Sequence, residues 1–455
     1  MPCWQSGLVA CGLALIGLMG CASHVDRLHP VRTEFYSGRL PEARIEVDKL
    51  ARKHSEDRDV FELDRAMIEL CAGNPKESEK ILRGVRDRFD KYEKKSAKEL
   101  AEAMLTDDTK IAYAGEDHEK ILIRTFLTLS NLMADGQDAD AYALQIGAKQ
   151  AELTAKLTKD HEELRKKAET APAPPELPQV ALGPYIQAML HEETATDASE
   201  VVRAREMVVS YVPGFRDGQA DLDRAMGDND IPLDHGAIYV FTLVGRGPTK
   251  EESEDIPTQV ALLIADQIVS AVAKQTVPPT LAPIKVAKVV RRHNRVQSVH
   301  VHLDGQSEGS TTTLVDVGQL AVSHYEAHYH EVIARAVARR AIKKGAVYIA
   351  KESLHAESNP VADIALTLGG IAWEATEAPD TRCWGLLPDK IQVCRIVAPV
   401  GTHQLQLQSA DTHGIYGIPA SISVDVHDGS NTYVMASFPD DRIVGKALVS
   451  GVDTE

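Results

Sequence analysis

No stretch of this chain is apolar for long enough to cross a bilayer. The run from Leu8 to Gly20 covers 13 residues, where a spanning helix needs about 20, and no later stretch is long and apolar enough. A spanning anchor is the least favoured reading of that first run, which reads as a signal-peptide core. Residues 1–20 hold no Lys or Arg, so the usual cationic start of a signal is carried by the α-amine alone. Cysteine is sparse: Cys3 and Cys11 fall in the signal, leaving Cys21, Cys71, Cys383 and Cys394, too few for a disulfide framework. Positive charge is outnumbered, with a formal net charge of -17, which counsels against nucleic acid and anionic lipid heads as partners. Aromatics make up only 5% of the residues, but 44% hydrophobic residues over 455 positions are enough to bury ordinary cores in two or three domains. Among catalytic signatures there is no Gly-x-Ser-x-Gly elbow, no His-Glu-x-x-His and no paired-carboxylate motif.

What the amino-terminal region does hold is "LALIGLMGCASH". Gly20 before Cys21, with Leu18 two positions further back, resembles the bacterial lipobox. That resemblance implies a Cys21 alkylated by a diacylglycerol and cleaved at its amino side, so that acyl chains hold the mature chain to a membrane face. The following Ala22-Ser23 lacks the aspartate that retains lipoproteins in the inner membrane, which favours an outer-membrane lipoprotein facing the periplasm. The alternative is an ordinary cleaved signal with an incidental cysteine.

Behind the signal the pattern repeats. "SGRLPEA" sets Gly38 five residues before Ala43, "AGNPKES" sets Gly73 before Ser78, and "ADGQDADA" sets Gly136 before Ala141. Each glycine lies between two amphipathic stretches, as a helix hairpin requires: glycine ends the first helix with a positive φ, and the small residue lets the second lie close. Gly38 and Gly73 are 35 apart, a period that resembles the tetratricopeptide repeat. A weaker fourth unit runs from Tyr185 to Tyr211, with Thr194 in place of glycine and Ser199 at the small position. Between the third and fourth units lie a highly charged helix, read as projecting and solvated, and a Pro-rich loop, together covering 154–179. An irregular helical bundle is the alternative.

From about 216 onward β-branched, turn-bounded runs dominate: 237–244, 283–290, 296–303, 311–317, 391–398, 403–408, 422–426 and 433–438. Helices over 258–273 and from Gly318 to about Lys351 interrupt them. The expected architecture is an N-terminal TPR-like α-helical superhelix over 21–215, then a mixed α+β domain with a mainly antiparallel sheet over 216–445, helices on one face, and a tail over 446–455.

Several side-chain groups in the second half invite chemistry. His324 and His328 stand one helical turn apart with His330 and Glu331 nearby, and His300 and His302 share one face of a strand; without a third placed ligand these read as surface or interface histidines. Arg335, Arg339 and Lys343, with Arg340 and Lys344, read as a solvated basic face. Gly245 and Gly247 lack the phosphate-loop spacing and read as a tight turn. Cys383 and Cys394 are spaced to pair across a loop, and Cys71 reads as a buried small hydrophobe. Trp384, flanked by Asp380 and Arg382, reads as an aromatic capping the core beside an ion pair that fixes its loop.

The stretch "YAGEDHEKILIRTFLTLSNLMADGQDADA", with Tyr113, Gly115 and Glu119 ahead of Gly136 and Ala141, resembles a segment of a family of bacterial lipoproteins that carry tetratricopeptide-like repeats before an α+β domain. The resemblance continues at Gly247, Pro248, Lys250 and Glu251, and at Asp380, Arg382, Trp384, Leu387, Pro388 and Gly401. It implies an envelope lipoprotein often encoded beside lipoproteins resembling penicillin-binding-protein activators, with no catalytic residue to carry over. The expected function is therefore a non-catalytic protein-binding scaffold. It would have no cofactor and no metal, envelope proteins bound on the repeats, a membrane contact through the lipid on Cys21, and no nucleic acid. The alternatives are an envelope hydrolase with a site around His324, His328 and Arg382, and a subunit of a polymer or fibre export apparatus.

Overall fold

The computed structural model describes residues 23–93, 112–167, 171–194, 197–227, 231–273, 283–353 and 379–451; Cys21 lies outside them. Helices come first: α1 His24–Tyr36, α2 Leu40–Lys53, α3 Arg58–Ala72, α4 Pro75–Tyr92, α5 Asp117–Ala134, α6 Ala139–Lys167, α7 Leu182–Thr194, α8 Ala198–Tyr211 and α9 Gly218–Met226. Ser23 starts α1 with a capping box, its hydroxyl accepting from Asp26 N while the Asp26 carboxylate accepts from Ser23 N at 3.1 Å. Each helix packs on the one before and the one after it. Helices α3 and α5 are buried almost all round, as the apolar content of "FELDRAMIELC" and "ILIRTFLTLSNLM" demands.

Gly38, Gly73 and Gly136 each have positive φ, 78°, 95° and 72°, and two of the three small positions are buried contacts, Ala43 and Ser78. Ala141 corrects the pattern: it is exposed. Helix α6 starts three residues after its glycine, where α2 and α4 start two after theirs. One extra residue turns the helix by about 100°, so Tyr142 takes the inward position and bonds Glu79 at 2.9 Å. Ser199 is likewise exposed, and Val201 is buried in its stead. The charged helix is the second half of α6, and it is not purely solvated, since Leu153, Leu157 and His161 are buried.

The strands form two stacked sheets and a ribbon, where a single sheet was expected. The first sheet has the order β12-β11-β1-β7-β6 and the second β10-β8-β4-β5, with β9 on β8. Their ranges are β1 His235–Val244, β4 Ser298–Leu303, β5 Gln306–Ser310, β6 Thr312–Asp316, β7 Lys390–Pro399, β8 Gly401–Asp411, β9 Gly414–Ile415, β10 Ala420–Val426, β11 Asn431–Phe438 and β12 Leu448–Val449. Pairing is antiparallel except for β1 with β11. Strands β2 Thr249–Asp255 and β3 Ile284–Val290 make the separate ribbon, covered by α10 Gln259–Ala273 and α12 Tyr329–Ser353. The expected long helix is broken at His328 into α11 Val317–Ala327 and α12. The segment read as a tail carries β12, and Lys446 N donates to Cys71 O at 2.9 Å.

Period-two alternation makes the first sheet a middle layer. Tyr239, Phe241 and Leu243 of β1 join a core shared with α1–α7, while Ile238, Val240 and Val244 join the core between the sheets. The helical half and the sheet half thus share one hydrophobic cluster, which also takes in Trp384, Leu386 and Leu387. The alternation also separates the two cysteines whose pairing the sequence left open. Cys394 faces the second sheet, Cys383 lies in the loop on the helix side, and both are free buried thiols, as is Cys71.

Candidate functional site

Where the loop 379–389 meets α1, α3, α5 and β2, buried polar groups converge. Arg382 forks onto Asp380, with Nε to Oδ1 at 2.9 Å and Nη2 to Oδ2 at 2.7 Å, while Nη1 reaches Asp57 at 3.2 Å. Asp57 is also held by Arg27 at 2.8 Å. The guanidinium lies 5.2 Å from the centre of the Tyr113 ring, and the Tyr113 hydroxyl donates to Glu119 at 2.5 Å. Glu119 accepts in turn from the backbone of Trp384 at 2.6 Å and of Glu116 at 3.0 Å. Lys250 closes the ring as an ion pair with Glu116, and Leu386 N donates to Asp64 at 2.8 Å. Buried charges are stable only when paired and hydrogen-bonded; Arg382, Asp380, Asp57, Lys250 and Glu116 meet that condition through ion pairs, whereas Asp64 has no ion-pair partner among the described residues and its Oδ2 has no hydrogen-bond partner.

The electrostatics follow from that enclosure. Burial pushes the Glu119 carboxyl up, aided by the Glu116 charge and partly offset by its three donors. Burial works against the Lys250 ammonium, but Glu116 and Asp380 outweigh it and raise its pKa well above the ordinary lysine range. Asp64 is fully buried and pushed up to about 8, because desolvation exceeds what Arg32 and the Leu386 and Gly385 amides restore. The sign is that of a raised acid: the folded state keeps a proton that the unfolded chain releases above about pH 4, so this contribution is full below that value and is lost as pH rises through about 8. Asp64→Asn keeps an acceptor for Leu386 N and removes the titration. Urea unfolding between pH 5 and 8 is expected to lose a slope approaching 1.4 kcal/mol per pH unit; an unchanged slope would refute the assignment.

Backbone approach sets the glycines. A Cβ on Gly115, whose φ is 74°, would lie 2.2 Å from the Phe89 ring, and one on Gly247 would lie 2.5 Å from Leu387 O. Gly247 N donates to that same oxygen at 2.8 Å, which seats "GRGP" against Leu387-Pro388. Tyr113, Gly115, Glu119, Gly247, Pro248, Lys250, Asp380, Arg382, Trp384 and Pro388, scattered through the sequence, therefore meet at one junction. Gly401 does not: it turns β7 into β8 with φ 146°. Trp384 is buried against Phe126, ring centres 5.4 Å apart.

Beside this junction the histidines take separate partners. His328 shares hydrogen bonds with Asp117 at 3.1 Å and lies 3.6 Å from Glu331; burial opposes its charge, but the two carboxylates outweigh it and raise it to about 9. Buried His324 lies 6.3 Å from the His118 ring, and burial lowers both, to about 3 and about 4. His300 is held between Ser307 and Ser310. Among the described residues no three His, Cys, Asp or Glu side chains converge on one metal position. Arg339 and Lys343 correct the reading of a solvated basic face, since both are buried.

Asp57, Asp64, Glu116, Asp117, His118, Arg27 and Arg32 were not singled out from the sequence. A signal existed for Asp64, which shares a helical stripe with Phe61, Ile68 and Cys71, and a carboxylate on an apolar stripe implies a buried partner. Comparison of the chain with protein-family models, with curated proteins and with solved structures finds no match.

Proposed function

We propose that the chain is a lipid-tethered, non-catalytic scaffold that holds an envelope protein on its helical layer, the helices stacking in the manner of tetratricopeptide repeats. The observation that carries the reading is the succession of helix hairpins turned at Gly38, Gly73 and Gly136, each helix packed on its neighbours in order. Such stacks present an extended surface suited to a peptide or a partner helix. The junction around Arg382 supports a structural role for its charges, because Arg382, Asp380, Asp57, Glu119, Lys250 and Glu116 are each occupied by another side chain or backbone amide of the same chain.

In this reading Cys21 carries the acyl chains, on the outer membrane facing the periplasm. Helix α1 begins at His24, and three residues span at most about 10 Å, so the folded body rests on the headgroups. Feeding cells an alkyne fatty acid is expected to label the wild-type chain in the membrane fraction, and Cys21→Ser to abolish the label and release the protein. Crosslinking in cells followed by mass spectrometry is expected to join an envelope protein to α1–α9. Unlabelled chain in the cytosol, or no crosslinked partner, would overturn the reading.

A further inference from the structure

We propose that the groove between the α3–α4 turn and the edge of β12 takes an extended, acidic segment of the partner polypeptide; this rests on the scaffold reading above. The groove has a volume of about 640 Å³ and is walled by the end of α3, the start of α4, Met133 and Ala134 of α5, and Leu448 and Val449. Four cations line it, Arg44, Arg65, Lys76 and Lys80, against two carboxylates, Glu69 and Glu77, and Arg65 is also paired with Asp48 at 3.1 Å, so the positive excess rests on Lys76. Glu69 is buried and already occupied, by Arg44 at 3.2 Å and Asn74 Nδ2 at 2.8 Å. Lys80 pairs with Glu77 at 3.1 Å, and exposed Lys76 makes no ion pair among the described residues. A cationic groove in a chain of net charge -17 concentrates field and attracts an anionic ligand.

The second wall chooses the ligand's conformation. β12 ends the strand order of the first sheet, so among the described residues its outer edge has no strand partner. An edge strand offers main-chain donors and acceptors to an added strand. The first turn of α4 adds donors, since Asn74 makes no side-chain cap there. A strand laid along β12 alternates its side chains between two faces, so carboxylates at every second position fall on the side of the cations. Edge geometry and charge together select an extended acidic peptide.

The test uses the full chain and a fluorescein-labelled octapeptide of alternating Thr and Glu, read by fluorescence anisotropy. Binding is expected to weaken as salt is added. A Thr-Gln counterpart and a Thr-Glu peptide N-methylated at alternate amides are each expected to bind at least tenfold more weakly. Lys76→Glu with Lys80→Glu is expected to cost tenfold or more in affinity while leaving the melting temperature unchanged, both lysines being exposed. Equal binding of the Thr-Gln peptide, or indifference to the charge reversal, would overturn the proposal. So would binding that emerges only after deletion of 452–455, which would make the chain's own Asp453 and Glu455 the occupants. Failure of these arms with a crosslinked partner elsewhere on α1–α9 sinks only this proposal; failure to crosslink any partner sinks the scaffold reading.

Discussion

Trp384→Ala is expected to destabilise the folded chain by about 3–5 kcal/mol, the range for truncating a large buried aromatic. The indole sits in the cluster shared by helices and sheet, against Phe126, so its removal opens a cavity where two layers meet and neither can collapse alone. Its Nε1 has no hydrogen-bond partner, so Trp384→Phe loses volume without losing a bond and is expected to cost about half as much. Chemical denaturation of both variants checks this. A loss below about 1 kcal/mol for the alanine variant would mean that the two halves are not held through this loop.

Arg382→Met is expected to cost about 3 kcal/mol or more, by leaving Asp380 without its guanidinium and the enclosed Asp57 with Arg27 alone. Asp57 is almost wholly enclosed, its side chain 3% exposed; Asp380, at 24%, is partly solvated and contributes less. The mechanism predicts its own rescue. In the double variant Arg382→Met, Asp57→Asn, the carboxylate that loses one of its two cations is gone, and the loss is expected to be smaller than the sum of the single losses. Strict additivity, measured by the same denaturation series, would show that packing of the methylene stem is what matters and that the charge pairing is incidental.

Much of the architecture could be read from residue order, and the failures have physical causes. The strands at 235–244, 390–399 and 431–438 were legible because "AIYVFTLV", "IQVCRIVAP" and "YVMASF" must be buried on both faces. Strand β2, "TKEESED", was not: it carries no apolar alternation and exists because the periodic "IKVAKVV" of β3 pairs with it. β5, "QSEGS", was hidden for the same reason. The break at His328 follows no Gly or Pro; it comes where the imidazole, beside its local neighbour Glu331, meets Asp117, a tertiary contact that local propensity cannot encode. The junction was half legible. Gly, Trp and the Arg-Asp pair are legible in the sequence, whereas Asp57 and Glu116 are marked out only by the distant cations they pair with.

The parallel pairing of β1 with β11 sets Tyr239 beside Tyr433, and β1 has β7 on its other side. A ribosome makes β1 long before either neighbour. Until the last part of the chain is synthesised, β1 has the earlier helices for one face but neither of its strand neighbours, and its other face, destined for the second sheet, stays uncovered. Such topologies are slow to close and exposed to aggregation while they wait. The nascent polypeptide therefore completes its middle layer late, and depends on being kept apart from its copies until then.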